Sequence, residues 1–302
     1  MPVKTWRRTL DLAAIDNPRL RHDYTQQRHL VARFARAEYT AVRLLLPAPL
    51  VPPVLAATAF MHHTDDLIDT GSLNERLTGL ADWSQQVRAA LDSGISDQPV
   101  LRAMVHTVDQ HPHLRQHIDE FLAGGDLEAR WKRFDTEADF QHYIDAYSLP
   151  AFMLIACQLG PCPASDAYIA SCRAFIEAGQ RLDFLEDLAE DLQTGRIGIP
   201  EEAFAQHDLT SQALHRPEIP TGVKEALHNQ IALMDQALNR ARGLADLAEH
   251  RSQPLLRALL ALQAIRIREA GKQGTGLLRK PPRKPLAGAL RILAKEYPAA
   301  LA

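Results

Sequence analysis

His62-His63-Thr64-Asp65-Asp66-Leu67-Ile68-Asp69 and Gln180-Arg181-Leu182-Asp183-Phe184-Leu185-Glu186-Asp187-Leu188-Ala189-Glu190-Asp191 are the two stretches on which the reading of this chain turns. Residues four apart share one face of a helix, so Asp65 pairs with Asp69, while Asp183, Asp187 and Asp191 form a three-step ladder. Like charges at that spacing cost a helix roughly 0.2–0.5 kcal/mol per pair. A divalent cation between the two ladders would offset that cost. Hard cations such as Mg²⁺ take oxygen ligands and leave positions for substrate phosphates, so the pattern points to a Mg²⁺–diphosphate site. The competing reading is a pair of solvated acidic faces, the common fate of charge clusters. The flanks weigh against it. Val51 to Met61 is almost wholly apolar, and Leu67, Ile68, Leu182, Phe184, Leu185 and Leu188 interleave with the carboxylates.

Outward from these stretches, apolar residues recur with helical periodicity and hairpin signals are lacking, which predicts an all-α chain. Helices are expected over about 18–46, 53–71, 74–92, 98–109, 113–124, 137–159, 164–194, 218–249 and 252–271, punctuated by proline and glycine clusters. No composition shift marks a boundary, so residues 1–302 are expected to form a single domain. Gly271 to Pro285 packs Lys272, Arg279, Lys280, Arg283 and Lys284 among glycines and prolines. It reads as a flexible basic loop, either a solvated connector or a clamp over phosphate groups.

Composition narrows the function. Apolar residues make up 46% of the 302, enough for a sizeable core, and a formal charge of −3 gives no case for nucleic-acid binding. Cys157, Cys162 and Cys172 lack zinc-type spacing and read as reduced thiols. The start of the chain is polar and basic, without the apolar run of a signal peptide. The longest apolar stretch, Leu44 to Met61, is broken by Pro47, Pro49, Pro52 and Pro53, so no transmembrane segment is expected and the location expected is cytoplasmic. His106, His111, His113 and His117 complete no zinc pattern and read as a solvated face.

The chain resembles the squalene/phytoene synthase family of isoprenoid synthases. Tyr39 to Pro47 is similar to the family's aromatic–x–LLP segment, and the DDLID box follows. Gly125-Asp126-Leu127 resembles its central acidic helix and Phe134 to Tyr143 its Tyr-x-T-x-x-x-L-x-x-Y segment. Gln180 to Asp191, with Gly195-Arg196-Ile197-Gly198-Ile199-Pro200, resembles the second acidic box and the GRxYxP run. The resemblance spans about residues 30–290 and implies an isoprenoid synthase fold with a central cavity between two Asp-rich helices. It further implies metal ligation by Asp65 and Asp69, with Asp66 in support, and by Asp183, Asp187 and Asp191. Arg43, Arg196, Arg279 and Lys280 are the expected diphosphate contacts, and Tyr39, Phe60, Gln180, Phe184 and Gly198 the expected pocket. The reaction implied is Mg²⁺-assisted loss of pyrophosphate from an allylic diphosphate in a cavity that excludes water.

Departures from the family pattern bear on the acceptor. His62 stands where the family has Arg, and a histidine carries charge only as pH allows. Asp183 replaces Asn, Glu186 replaces Arg, Gly198 replaces Tyr, and Ser148-Leu149-Pro150 replaces a small-residue stretch. The metal positions are spared while the surroundings of a second prenyl diphosphate change. The expectation is therefore a divergent member similar to the phytoene-synthase-like aromatic prenyltransferases. It would transfer a short prenyl group, such as dimethylallyl, to an aromatic acceptor such as a carbazole in secondary metabolism. Gly198 would leave room for the flat ring, and His62 or Glu186 would remove the ring proton. Head-to-head squalene/phytoene synthase-type coupling, or presqualene diphosphate processing, is the alternative. A degenerate scaffold is disfavoured by the retained carboxylates.

Overall fold

The computed structural model describes residues 4–301; residues 1–3 and 302, the ends of the expected 1–302 domain, lie outside the described residues. Sixteen α-helices account for most of them, and the single β-bridge among the described residues joins Arg133 to Ile197. The all-α expectation holds.

The helix carrying the first acidic box, α4 (Val51–Asp69), begins at paired prolines, which suit a first turn because its N–H groups have no helical acceptor. Val54, Leu55, Ala56, Ala57, Ala59 and Phe60 are all buried, so α4 runs through the middle of the molecule. Its neighbours are α2 (Pro18–Phe34), α5 (Leu73–Ser93) and α6 (Pro99–Gln110). The second box begins at the C-terminal end of α10 (Asp166–Glu186), a helix packed against α13 (Thr221–Arg240) and α15 (Gln253–Gln273), and runs on past it to Asp191. A hydrophobic core drawing residues from Val31 to Leu277 lies between these groups.

Several expected helices are split. The expected 18–46 helix breaks at Ala35, whose φ of −122° and ψ of 57° are not helical, giving α2 and α3 (Arg36–Leu45). The expected 164–194 helix bends at Asp187, separating α10 from α11 (Leu188–Thr194). Backbone bonds from Asp187 N to Asp183 O and from Asp191 N to Asp187 O, both 2.9 Å, carry the ladder's register through the bend. The expected 137–159 helix resolves into α8 (Glu137–Tyr143), a π-helical turn (Ile144–Ser148) and α9 (Leu149–Ala156). Gly124 on α7 (Leu114–Arg130) makes room for that turn, since a Cβ there would sit 2.0 Å from the Ala146 carbonyl oxygen. The 271–285 stretch is only partly a loop: α15 continues to Gln273 and a 3₁₀ turn covers Gly274–Leu278. Beyond it a further helix, α16 (Leu286–Leu301), packs on α15 and α3.

Candidate active site

Tyr143 and Tyr147 stand four residues apart, and the π turn between them directs both rings to one cavity of about 210 Å³. Asp65, Ile68 and Asp69 of α4, Glu128 of α7 and Gln180 of α10 complete its wall. The Tyr147 hydroxyl donates to Asp65 Oδ1 at 2.7 Å, and the Tyr143 hydroxyl donates to Glu128 Oε2. Ser148 Oγ donates to Gln180 Oε1 at 3.0 Å, which fixes the amide in the cavity.

Arg196 enters from the loop after α11. Gly195, at φ 75°, ends that helix in the left-handed conformation that glycine tolerates best. The Ile197 N–H donates to the Lys132 carbonyl at 2.9 Å and anchors the loop. The guanidinium lies 4.7 Å from the Trp131 ring centroid, 3.0 Å from Glu128 Oε1 and 3.8 Å from Asp69 Oδ1. Its buried Nε has no hydrogen-bond partner. Arg266 of α15 plays a parallel part at the second box, 2.8 Å from Asp183 Oδ1 and 2.6 Å from Glu186 Oε2.

Crowding sets the electrostatics. Desolvation raises the Asp65 carboxyl to about 6 against the opposing pull of the Tyr147 hydrogen bond, and Asp69, Glu128 and Asp66 add repulsion. Asp183 is outside the cavity wall with 51% of its side chain accessible, yet the surrounding protein desolvates it and raises it to about 6 while Arg266 pulls it down. Desolvation also raises Glu128, Asp187 and Asp191. Asp191 feels both Arg196 and Glu128, so the last acid of the second box shares a field with the first.

These residues suit a hard divalent ion: the donors are carboxylate oxygens, without thiolate or imidazole among them. Among the described residues no three acidic, histidine or cysteine side chains already converge on one ion position. Arg196 and Arg266 instead neutralise one carboxylate of each box.

Of the predicted pocket residues, Gln180 lines the cavity and the others do not. Phe60 is wholly buried against Trp83 and Phe121. The Tyr39 hydroxyl accepts from Arg28 Nε at 2.8 Å. Phe184 stacks on Trp131 at 4.7 Å. Gly198 offers no slot for a flat ring, a correction to the expectation: a Cβ there would stand 2.2 Å from Phe184 Cγ, so the phenylalanine already fills the space.

Arg43 also departs from its expected role. It donates to Thr9 Oγ1 at 2.9 Å and to the Lys4 carbonyl, beside the Trp6 ring, away from the cavity. Arg279 and Lys280 are exposed and outside the cavity wall. His62 stacks on Phe34 at 3.8 Å and faces the exposed Asp66 at 3.7 Å, and Glu186 is engaged by Arg266. Neither expected base reaches the cavity wall.

Glu128, Tyr143, Tyr147 and Arg266 lie outside the predicted site set. Asp126, the acid of the Gly125-Asp126-Leu127 segment, points outward to Arg130 at 2.9 Å, and Glu128 two residues on faces the cavity. The i,i+4 spacing of the two tyrosines was the available signal.

Residues 32–294 match the family model for squalene/phytoene synthase. The bifunctional protein CrtB/UppS of Streptomyces coelicolor is 30% identical over 233 residues, which cover 77% of this chain but only 40% of that relative's length. The 15-cis-phytoene synthase of Synechococcus elongatus is 22% identical over 80% of this chain and 82% of its own. The squalene synthase HpnC of Alicyclobacillus acidocaldarius superposes with a TM-score of 0.76 at 20% identity, covering 87% of this chain and 98% of its own. A dehydrosqualene synthase solved with a ligand gives a TM-score of 0.77 at 20% identity over 93% and 97%. The match to the family model over most of its length, together with the cavity between two aspartate-bearing helices, places this chain in the squalene/phytoene synthase family, whose members are transferases acting on prenyl diphosphates.

Proposed function

We propose that this chain, acting as a single helical unit, is a Mg²⁺-dependent prenyltransferase that ionises one short allylic diphosphate and passes its prenyl group to an aromatic acceptor. The observation that carries this reading is the cavity of about 210 Å³, walled by Tyr143 and Tyr147. Drug-sized ligands occupy pockets of roughly 300–1,000 Å³, and two long prenyl chains need more room than this one offers. A dimethylallyl group fits the scale.

Asp65, Asp69, Asp183, Asp187 and Asp191 would hold the metal. Mg²⁺ bound there would stabilise the departing pyrophosphate as the carbon–oxygen bond breaks. Arg196 adds a fixed positive charge beside Asp69 and Glu128, where the leaving group gathers charge. The buried Tyr143 and Tyr147 rings would flank the allylic cation and help keep water from it. The acceptor ring supplies the electron pair for the new carbon–carbon bond, and its displaced proton goes to Glu128. That carboxylate lies in the cavity, and desolvation makes it a better base.

Head-to-head coupling is the second reading, favoured by the names of the relatives, several of them phytoene synthases. The deciding experiment incubates the protein with Mg²⁺ and the C5, C10, C15 or C20 prenyl diphosphate, alone and with electron-rich aromatics including hydroxylated carbazoles. Mass spectrometry reads the products. An aromatic raised by one prenyl unit, dependent on Mg²⁺, is the expected result. A C30 or C40 hydrocarbon from donor alone would replace it with head-to-head coupling.

A further inference from the structure

A groove of about 710 Å³ separates α15 from α16 on the outer surface. Arg268, Lys272, Arg283, Lys284, Arg291 and Lys295 line it. Glu269 is the one acid in the lining, and Lys272 holds it at 2.6 Å. Among the described residues no carboxylate pairs with Arg268, Arg283, Lys284, Arg291 or Lys295. Residues 268–295 contain eight Lys and Arg against that single glutamate, in a chain whose formal charge is −3. The charge of the molecule is thus sharply divided, with this face basic and the remainder acidic.

The same face carries apolar surface. Leu286 is 69% exposed, Leu290 68% and Leu301 50%. At about 100° per residue these three fall within about 60° of one another on α16, and Arg291 and Lys295 follow on the adjoining outward flank. The inward flank is occupied by Ile292 and Leu293 packed on the core and by buried Glu296, paired with Arg257 at 2.7 Å. A leucine stripe beside a basic stripe on one outward helix face is the arrangement that lies in the plane of a lipid–water interface.

We propose that α16 and the basic groove dock the protein on the surface of an anionic phospholipid bilayer, with the leucines entering the acyl boundary and the arginines and lysines meeting the headgroups. Charge complementarity selects this occupant: unpaired cations surround the apolar stripe, whereas a second copy of the same surface would bring like charges together. Attachment is peripheral, since no helix among the described residues is long and apolar enough to cross a membrane. The docking face lies across α15 from the second acidic box: Arg266 reaches Asp183, while Arg268, two residues on and about 200° around the helix, lines the groove.

The test is co-sedimentation of the full chain with vesicles of phosphatidylcholine alone and of phosphatidylcholine with 30% phosphatidylglycerol, at low and high salt. Expected is binding to the anionic vesicles that falls at least tenfold at high salt and survives 10 mM inorganic phosphate. Arg291→Glu/Lys295→Glu should lower it at least tenfold, and Leu286→Ser/Leu290→Ser comparably. These residues are exposed, so circular dichroism should show both variants folded. No binding to anionic vesicles overturns the proposal, as do equal binding to both vesicle types, loss of binding in phosphate, or a dimer dissociated by the leucine variant.

Discussion

The Tyr147 hydroxyl and the Asp65 carboxylate meet at 2.7 Å across the cavity, joining the π turn to the first acidic box. The bond favours the charged carboxylate and partly offsets the desolvation that raises it to about 6. Tyr147→Phe should therefore raise Asp65 further. Metal ligands bind deprotonated, so apparent Mg²⁺ affinity in the presence of pyrophosphate should weaken as pH falls through about 6. In the Phe variant that fall should begin at higher pH. Calorimetric titration between pH 5.5 and 8 checks it, and superimposed curves would remove Tyr147 from the account.

Asp65→Asn should separate function from stability. Turnover should drop by about 10²–10³ or more, as expected for losing a group that organises the leaving-group charge. The fold should gain. An acid raised in the folded state costs stability once pH passes its unfolded value near 3.8, and the full cost is present above about 6. The metal-free variant should melt above the parent at pH 8, with the gap closing toward pH 4. A lower melting temperature at pH 8 would contradict the electrostatics.

Arg266→Gln removes the cation that holds Asp183 and Glu186. The pair is part-exposed, so the loss should be on the order of 1 kcal/mol. Mg²⁺ with pyrophosphate should restore more melting temperature to this variant than to the parent, because the ion replaces the missing charge. Equal metal-induced shifts would detach Arg266 from the second box.

Gly198→Ala should destabilise by about 1–3 kcal/mol, the usual cost of overpacking, since its Cβ would press on Phe184 at 2.2 Å. Thermal melts measure this. A neutral result would mean that the Trp131–Phe184 stack yields easily.

The acidic boxes and their helices were legible because a 3.6-residue period leaves few ways to arrange aspartates spaced by four. Glu128 was not, since its direction depends on how α7 is rotated against the π turn. Gly198 shows the limit most clearly. A missing side chain looks like vacant space in a sequence, but Phe184, fourteen residues away in the chain, fills it. Arg43 sits in a family-like segment, yet the helix at Trp6–Leu12 captures it. Helix α16 escaped notice because Pro285, Gly288 and Pro298 interrupt an otherwise apolar pattern.

The π turn at Ile144–Ser148 also shapes how the protein can change over generations. Such a turn holds one residue more than an α-helical path between the same ends. Deleting a single residue there would let the segment rewind as α-helix between the same ends, so the helices on either side would keep their places. The change would be confined to the turn: the bulge at Ala146 that Gly124 makes room for would flatten, and the directions of Tyr147 and Ser148 would shift with it. The segment is therefore a place where the chain can lose or regain one residue and reshape the chamber wall without displacing the helices that carry it.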